Sequence, residues 1–234
     1  MKKLTSVAGA GITALALGLA LVGCGSESST EASSSSETGS AQEETSATSE
    51  AADPSTPAEA AGPNETIQDY IVQNNIEEAA VKPGDPGTPA VDLPVPSGWQ
   101  KRDDIAEAPY GALVFPGTKV PDNPPRVLAL MSKLTGDVDP AALLKYAPGE
   151  LKNMPGWQPM NQGAPSQQSG FEAIQIAGTY DAGGKKGLIA QKTVVIPAEG
   201  SVYVLQLNAY ADETEVATLG QATRVIDEQM TITI

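Results

Sequence analysis

Histidine is absent from all 234 residues. That absence removes the commonest general base, the Ser-His-Asp and Cys-His nucleophile systems, and the commonest zinc ligand together. Cysteine occurs once, at Cys24, so neither an internal disulfide nor a cysteine-rich metal site can form. Positive charge is scarce: 14 Lys and Arg stand against 29 Asp and Glu, a net charge of −15. Nucleic acid is therefore a poor partner, because phosphate binding is driven by clustered cations. Beyond the N-terminal segment, no stretch approaches the ~18 consecutive apolar residues that a bilayer-crossing helix needs.

What is present begins with Met1-Lys2-Lys3, a short basic start, followed by an uncharged and mostly apolar Leu4 to Val22. This pattern reads as a secretory signal. It ends in Leu21-Val22-Gly23-Cys24, which resembles the bacterial lipobox. In that signal the cysteine thiol takes a diacylglycerol group. Cleavage leaves the cysteine as the new N-terminus, usually acylated further, for example with palmitate. A plain signal peptide, or a membrane anchor with an incidental cysteine, would not explain why the only cysteine stands where the signal needs one. Two or three acyl chains make anchoring stable, whereas one holds only marginally.

Residues 25–60 contain sixteen Ser or Thr and eight Asp or Glu, with no Lys, Arg or aromatic residue. Such a segment has too little apolar surface to offset the entropy of ordering, so it reads as a disordered tether. As a flexible coil, 25–65 would span roughly 35 Å, and more with like-charge repulsion. A glycosylated stalk is the functional alternative, since Ser and Thr here lie among Pro54, Pro57 and Pro63. The expected organisation is a signal peptide over 1–23, the lipidated cysteine and tether over 24–65, and a globular domain over 66–234.

All ten aromatic residues lie beyond Thr66. Thr66-Ile67-Gln68-Asp69 reads as a capping box opening a helix. Asp139-Pro140 reads as an N-cap with proline at the first helical position, and Pro148-Gly149 as its interruption. Asp212 with Glu215 opens a third helix bearing Val216, Leu219, Ile226 and Met230. Strands are expected over 110–115, 126–134, 171–180, 188–196 and 202–210, the last alternating with Tyr203, Leu205, Leu207 and Ala209 on one face. Their connections are too short for parallel crossovers, which gives an antiparallel meander and an α+β class with helices packed on the sheet. The proline-rich Leu93–Trp99 segment reads as an edge strand with Trp99 as a core anchor.

Several stretches carry a specific resemblance. Thr66-Ile67-Gln68-Asp69-Tyr70-Ile71 leads into Lys82-Pro83-Gly84-Asp85-Pro86-Gly87-Thr88-Pro89, then Asp92-Leu93-Pro94-Val95-Pro96-Ser97-Gly98-Trp99. Later comes Leu143-Leu144-Lys145-Tyr146-Ala147-Pro148-Gly149-Glu150-Leu151. From Thr66 to the C-terminus the chain resembles the LpqN/LpqT family of mycobacterial and related actinobacterial lipoproteins. The resemblance implies a Mog1/PsbP-like α/β/α sandwich. It also implies a place in the cell envelope, with contacts to lipid transporters and mycolate-containing glycolipids. It supplies no catalytic residues.

No nucleophile or metal motif stands out, so neither a catalytic set nor a cofactor is expected. Asp103-Asp104 and Asp137/Asp139 lack the glycine-punctuated oxygen ligands of calcium loops, and no metal is expected there. Asp181–Gly187 lies between two strands, as a hairpin does and a phosphate loop does not. Paired carboxylates for glycan chemistry need only spatial closeness, and no spacing singles out a pair. Trp99 and Trp157 are the candidate ligand contacts, as large apolar surfaces beside proline-rich segments, and core packing is the competing role for both. Met131, Met154 and Met160 could adapt to a lipid chain, or simply fill the core.

The expectation is a non-catalytic lipoprotein anchored on the extracytoplasmic face of the cell membrane. Its partners would be envelope lipid, glycolipid or lipid-transport proteins. A pure protein-interaction adaptor and a glycan- or lipid-modifying enzyme are the rival readings. Lipidation is testable directly. The parent's N-terminal peptide should begin at Cys24 and carry acyl mass, and Cys24→Ser should abolish both. A variant that fractionates and processes like its parent would refute the anchor.

Overall fold

The computed structural model describes residues 62–234. The signal segment 1–23, Cys24 and the tether as far as residue 61 lie outside the described residues. Described residues ahead of Thr66 pack on the domain. Asn64 donates from its backbone N and Nδ2 to Asn153 Oδ1, at 3.1 and 2.9 Å, and Asn153 Nδ2 donates to the Asn64 carbonyl at 2.8 Å.

Helix α1 (Ile67–Gln73) starts on the expected capping box: Thr66 Oγ1 accepts from Asp69 N, and Asp69 Oδ2 accepts from Thr66 N. Short strands follow, β1 (Glu77–Ala80), β2 (Ala90–Asp92), β3 (Gln100–Arg102) and β4 (Gly111–Val114), then the long β5 (Arg126–Thr135). Helix α2 (Pro140–Tyr146) is capped by Asp139, whose carboxylate accepts from Ala141 N. A second short helix, α3 (Gly149–Lys152), follows at once. Pro148-Gly149 interrupts α2 as expected, and the proline then takes the N-cap position of α3, with its φ already at −69°. After β6 (Gln158–Pro159) and β7 (Ala164–Gln168) come the three longest strands, β8 (Phe171–Asp181), β9 (Lys186–Ala198) and β10 (Ser201–Asp212). A 3₁₀ turn over Glu213–Glu215 leads into α4 (Val216–Gln229), and β11 (Thr231–Thr233) ends the chain.

Nine strands form one antiparallel sheet in the order β3-β4-β5-β10-β9-β8-β6, with β1 also paired to β5 and β7 to β8. The expected meander is therefore present, with β5 joining β10 across a long connection. Register places Met131 beside Leu205 and Leu205 beside Val194. β2 and β11 form a separate two-stranded ribbon. Among the described residues no helix is long and apolar enough to cross a membrane.

The sheet is covered on both sides. On one side Tyr203, Leu205, Leu207, Ala209 and Ala211 of β10 join Val194 and Ile196 of β9 against Leu219, Ala222 and Ile226 of α4. On the other, Val202, Val204, Val195 and Leu134 meet Ile71 and Ile76 around α1 and Leu143 of α2. That double cover explains why β9 is buried almost continuously rather than alternately.

Two buried groups tie α4 down. Lys192 sits under it with Nζ 3.0 Å from Asp227 Oδ1 and 2.7 Å from Gln168 Oε1, while Gln168 Nε2 donates to the Met230 carbonyl. At the other end the Glu215 carboxylate accepts from Lys119 N at 2.9 Å, Thr118 Oγ1 at 3.0 Å and Thr218 Oγ1 at 2.9 Å.

Two expectations change in the loops. Leu93–Trp99 is not an edge strand: it is an irregular connection from β2 to β3, turning through Gly98 at φ 81°. Trp99 is nevertheless buried, its ring centroid 5.8 Å from that of Phe115. The Lys82–Pro89 loop is held from beneath by two tyrosines, Tyr203 donating to the Gly87 carbonyl and Tyr110 to the Pro89 carbonyl, each at 3.1 Å. Burial pushes the Tyr110 phenol up from its ordinary pKa.

Glu215 gives a pH prediction. Hydrogen bonds from Lys119 N and then Thr218 hold its carboxyl below the ordinary value. A depressed folded pKa means its stabilisation is complete above the unfolded value, about 4.3, and is lost as pH falls through the folded one. Glu215→Gln should therefore melt lower than the parent at pH 7, and the gap should close between about pH 5 and pH 3. Paired thermal melts across that range decide it. Trp99→Ala should cost ~3–5 kcal/mol in chemical denaturation, as for other buried tryptophans.

Candidate functional site: a groove under two short helices

The cover on the α1–α3 side is broken. One apolar cluster lies under α1 and α2, around Ile71, Leu143 and Val204. A second lies under α3, where Leu151 meets Ile176 and Ile189, with Trp157, Tyr180 and Tyr210 packed around them. Between the clusters the sheet is left partly bare. The gap is a groove of about 340 Å³, near the lower end of the ligand-pocket range.

Its floor comes from Leu130, Ser132 and Leu134 of β5 with Val204 and Gln206 of β10. Thr66, Ile67, Gln68 and Ile71 form one wall, Ala147 and Glu150 the other, and Glu78 of β1 stands at the edge. The pleat puts Leu128, Leu130 and Gln206 on this face, all half-exposed.

Polar groups continue from the groove under α3. Gln191 Nε2 donates to Asn208 Oδ1 at 2.9 Å and lies 3.4 Å from Glu150 Oε2. Gln191 Oε1 and Thr193 Oγ1, both fully buried atoms, have no hydrogen-bond partner among the described residues. Burial and then the Glu150 carboxylate raise the pKa of the Tyr210 phenol, and the Arg126 guanidinium lies 4.8 Å over the Tyr210 ring centroid. The lining carries two carboxylates and no Lys or Arg.

The tryptophans do not meet at this site. Trp99 is 7 % exposed in the core under α4. Trp157 is half-buried in the cluster beneath α3, against Gly178, where a Cβ would overlap the indole. Neither lines the groove. Met131 is buried, Met154 packs beside Leu151, and Met160 is exposed. Asp104 is held by Arg102 in a two-point ion pair on the surface, and among the described residues no cluster of three acidic or sulfur ligands could hold a metal.

The one local signal for this face in the sequence is polar interruption: Gln206, a lining residue, continues the face begun by Val202 and Val204.

Comparison with known proteins agrees with this architecture. Residues 63–233 match the family model described as "Probable lipoprotein LpqN". "Lipoprotein LpqN" of Mycobacterium tuberculosis (strain ATCC 25618 / H37Rv) is 54% identical over 224 residues, covering 96% of this chain and 97% of that one. A solved structure described as LpqN involved in cell envelope biogenesis of Mycobacterium tuberculosis superposes with a TM-score of 0.72 at 52% identity, over 74% of this chain and all of the other. With both the sequence identity and the superposed domain in agreement, the chain belongs to the LpqN family of lipoproteins.

Proposed function

We propose that this chain is a non-catalytic, lipid-anchored protein of the cell envelope that binds a neutral lipid or glycolipid in the groove, presenting it to lipid-transport proteins on the extracytoplasmic face of the membrane. The observation that carries the reading is the composition of the groove. Ile67, Ile71, Leu130, Leu134 and Val204 supply an apolar surface for an alkyl chain. Gln68, Ser132 and Gln206 add neutral hydrogen-bonding groups beside that surface, where a hydroxylated headgroup would find partners.

The charge of the lining argues for neutrality. Glu78 and Glu150 face the groove and no cation does, so a phosphorylated headgroup would meet like charge. Both carboxylates belong to exposed residues. The envelope setting is supported by the lipoprotein family and by the relative's part in cell envelope biogenesis.

Native mass spectrometry of the chain after gentle extraction tests this. The parent should retain a neutral lipid or glycolipid. Leu130→Glu should reduce the retained mass at least about tenfold, the effect of a desolvated charge of about 1.4 kcal/mol or more at an apolar contact. Leu130 is half-exposed, so the variant should fold. No retained mass, preferential retention of anionic phospholipid, or turnover of an envelope glycan or ester would overturn the proposal.

A further inference from the structure

The wall formed by α1 differs from every other part of the groove. Helix α1 has seven residues and buries only Ile71, whereas the floor belongs to the central strands. The segment Gly62–Thr66 reaches α1 across α3. It does so at close range: a Cβ on Gly149 would overlap the Glu65 carbonyl, and one on Gly62 would press on the Asn153 side chain. Among the described residues, the side-chain hydrogen bonds from this strap to the α3 end all run through Asn153.

At its other end α1 stops at Asn74, whose Nδ2 donates to the Tyr70 carbonyl, and the chain reverses through Asn75 at φ 52°. Left-handed backbone is uncommon for a residue other than glycine, with asparagine among the best tolerated. Along its outer side α1 rests on α2: Tyr70 stacks on Tyr146 with centroids 5.7 Å apart, and its hydroxyl accepts from Asp139 N. The helix therefore has a turn at one end, a support on one side, and a three-bond clasp at the end that crosses the groove.

We infer that the strap Gly62–Thr66 and α1 form a gate over the groove, closed by the Asn64–Asn153 clasp and hinged at Asn74–Asn75. Opening the clasp lifts Thr66, Ile67 and Gln68 from the wall and widens the path to Leu130 and Gln206. The clasp joins two neutral amides. The ligand-loading role rests on the groove being a lipid site; the motion of α1 does not.

The test uses the full chain in phosphatidylcholine nanodiscs, hydrogen exchange, and stopped-flow loading of a dansyl-labelled dodecyl glycoside. Asn153→Ala should speed amide exchange across Ile67–Gln73 and probe association by about tenfold each, as loss of a net hydrogen-bond contribution near 1.4 kcal/mol would. Exchange in α4 should not change. A disulfide formed in Asn64→Cys/Asn153→Cys should slow loading at least about tenfold, with recovery on reduction. Parental exchange and loading rates in Asn153→Ala, or a cross-linked chain that loads as fast as its reduced form, would overturn the gate. If the parent takes no probe at all, the groove reading fails, and α1 exchange alone still decides whether the clasp holds a gate.

Discussion

Strands β9 and β10 must be buried on both faces, and the rest of the architecture answers that demand. Val194, Val195 and Ile196 point alternately up and down, yet all three are buried. The same holds for Val202 to Leu205. A half-solvated antiparallel sheet would expose every second residue. Here cover is needed twice, and the chain supplies it unequally. One long helix, α4, closes one side, while three helices of four to seven residues share the other. Fourteen residues of helix make a stripe about 21 Å long, enough to span several strands without a break. Short helices leave a gap between them, and that gap is the groove.

The two sides are also fastened differently. Under α4 the polar anchors are charged and deeply set. Lys192 gives its ammonium to Asp227 and Gln168, and Glu215 collects three donors. Removing one partner from such a site leaves an uncompensated buried charge, which is strongly destabilising. Under α1–α3 the deepest polar groups are the Gln191 and Asn208 amides and the Thr193 hydroxyl, and two of their atoms have no partner among the described residues. The α4 side has its polar requirements met within the chain. The groove side has not, and local unfolding free energy should be lower there.

Much of the fold was legible from residue patterns. The capping box at Thr66, the Asp139-Pro140 start and the alternation of β10 each rest on local chemistry that packing did not override. The four longest strands, and the buried four-residue β4, were likewise visible as apolar runs. The short strands β1, β2, β3, β6, β7 and β11 were not, because two to five residues with mostly exposed side chains carry no period to read. Leu93–Trp99 misled for a related reason: proline favours extended backbone without requiring a ladder partner. The groove was harder still. Its lining comes from α1 with its cap, β1, β5, the end of α2, α3 and β10, brought together only by the sheet order, and no single segment shows more than four of its residues. The aromatic residues drew the eye instead, and the structure puts both tryptophans away from the groove lining.

The unequal cover has a consequence for how relatives can diverge. The α4 side shares its side chains with the folding core, so almost any change there is felt by β9 and β10 at once. The α1–α3 side is modular. Lengthening α1 by a turn, or enlarging Ala147 or Ser132, would reshape the cavity while Leu205, Val194 and Leu219 kept their neighbours. The groove can thus change shape without a change of scaffold, and divergence among such domains should concentrate in the strap, the short helices and the bare face of β5, leaving the helix on the far side almost untouched.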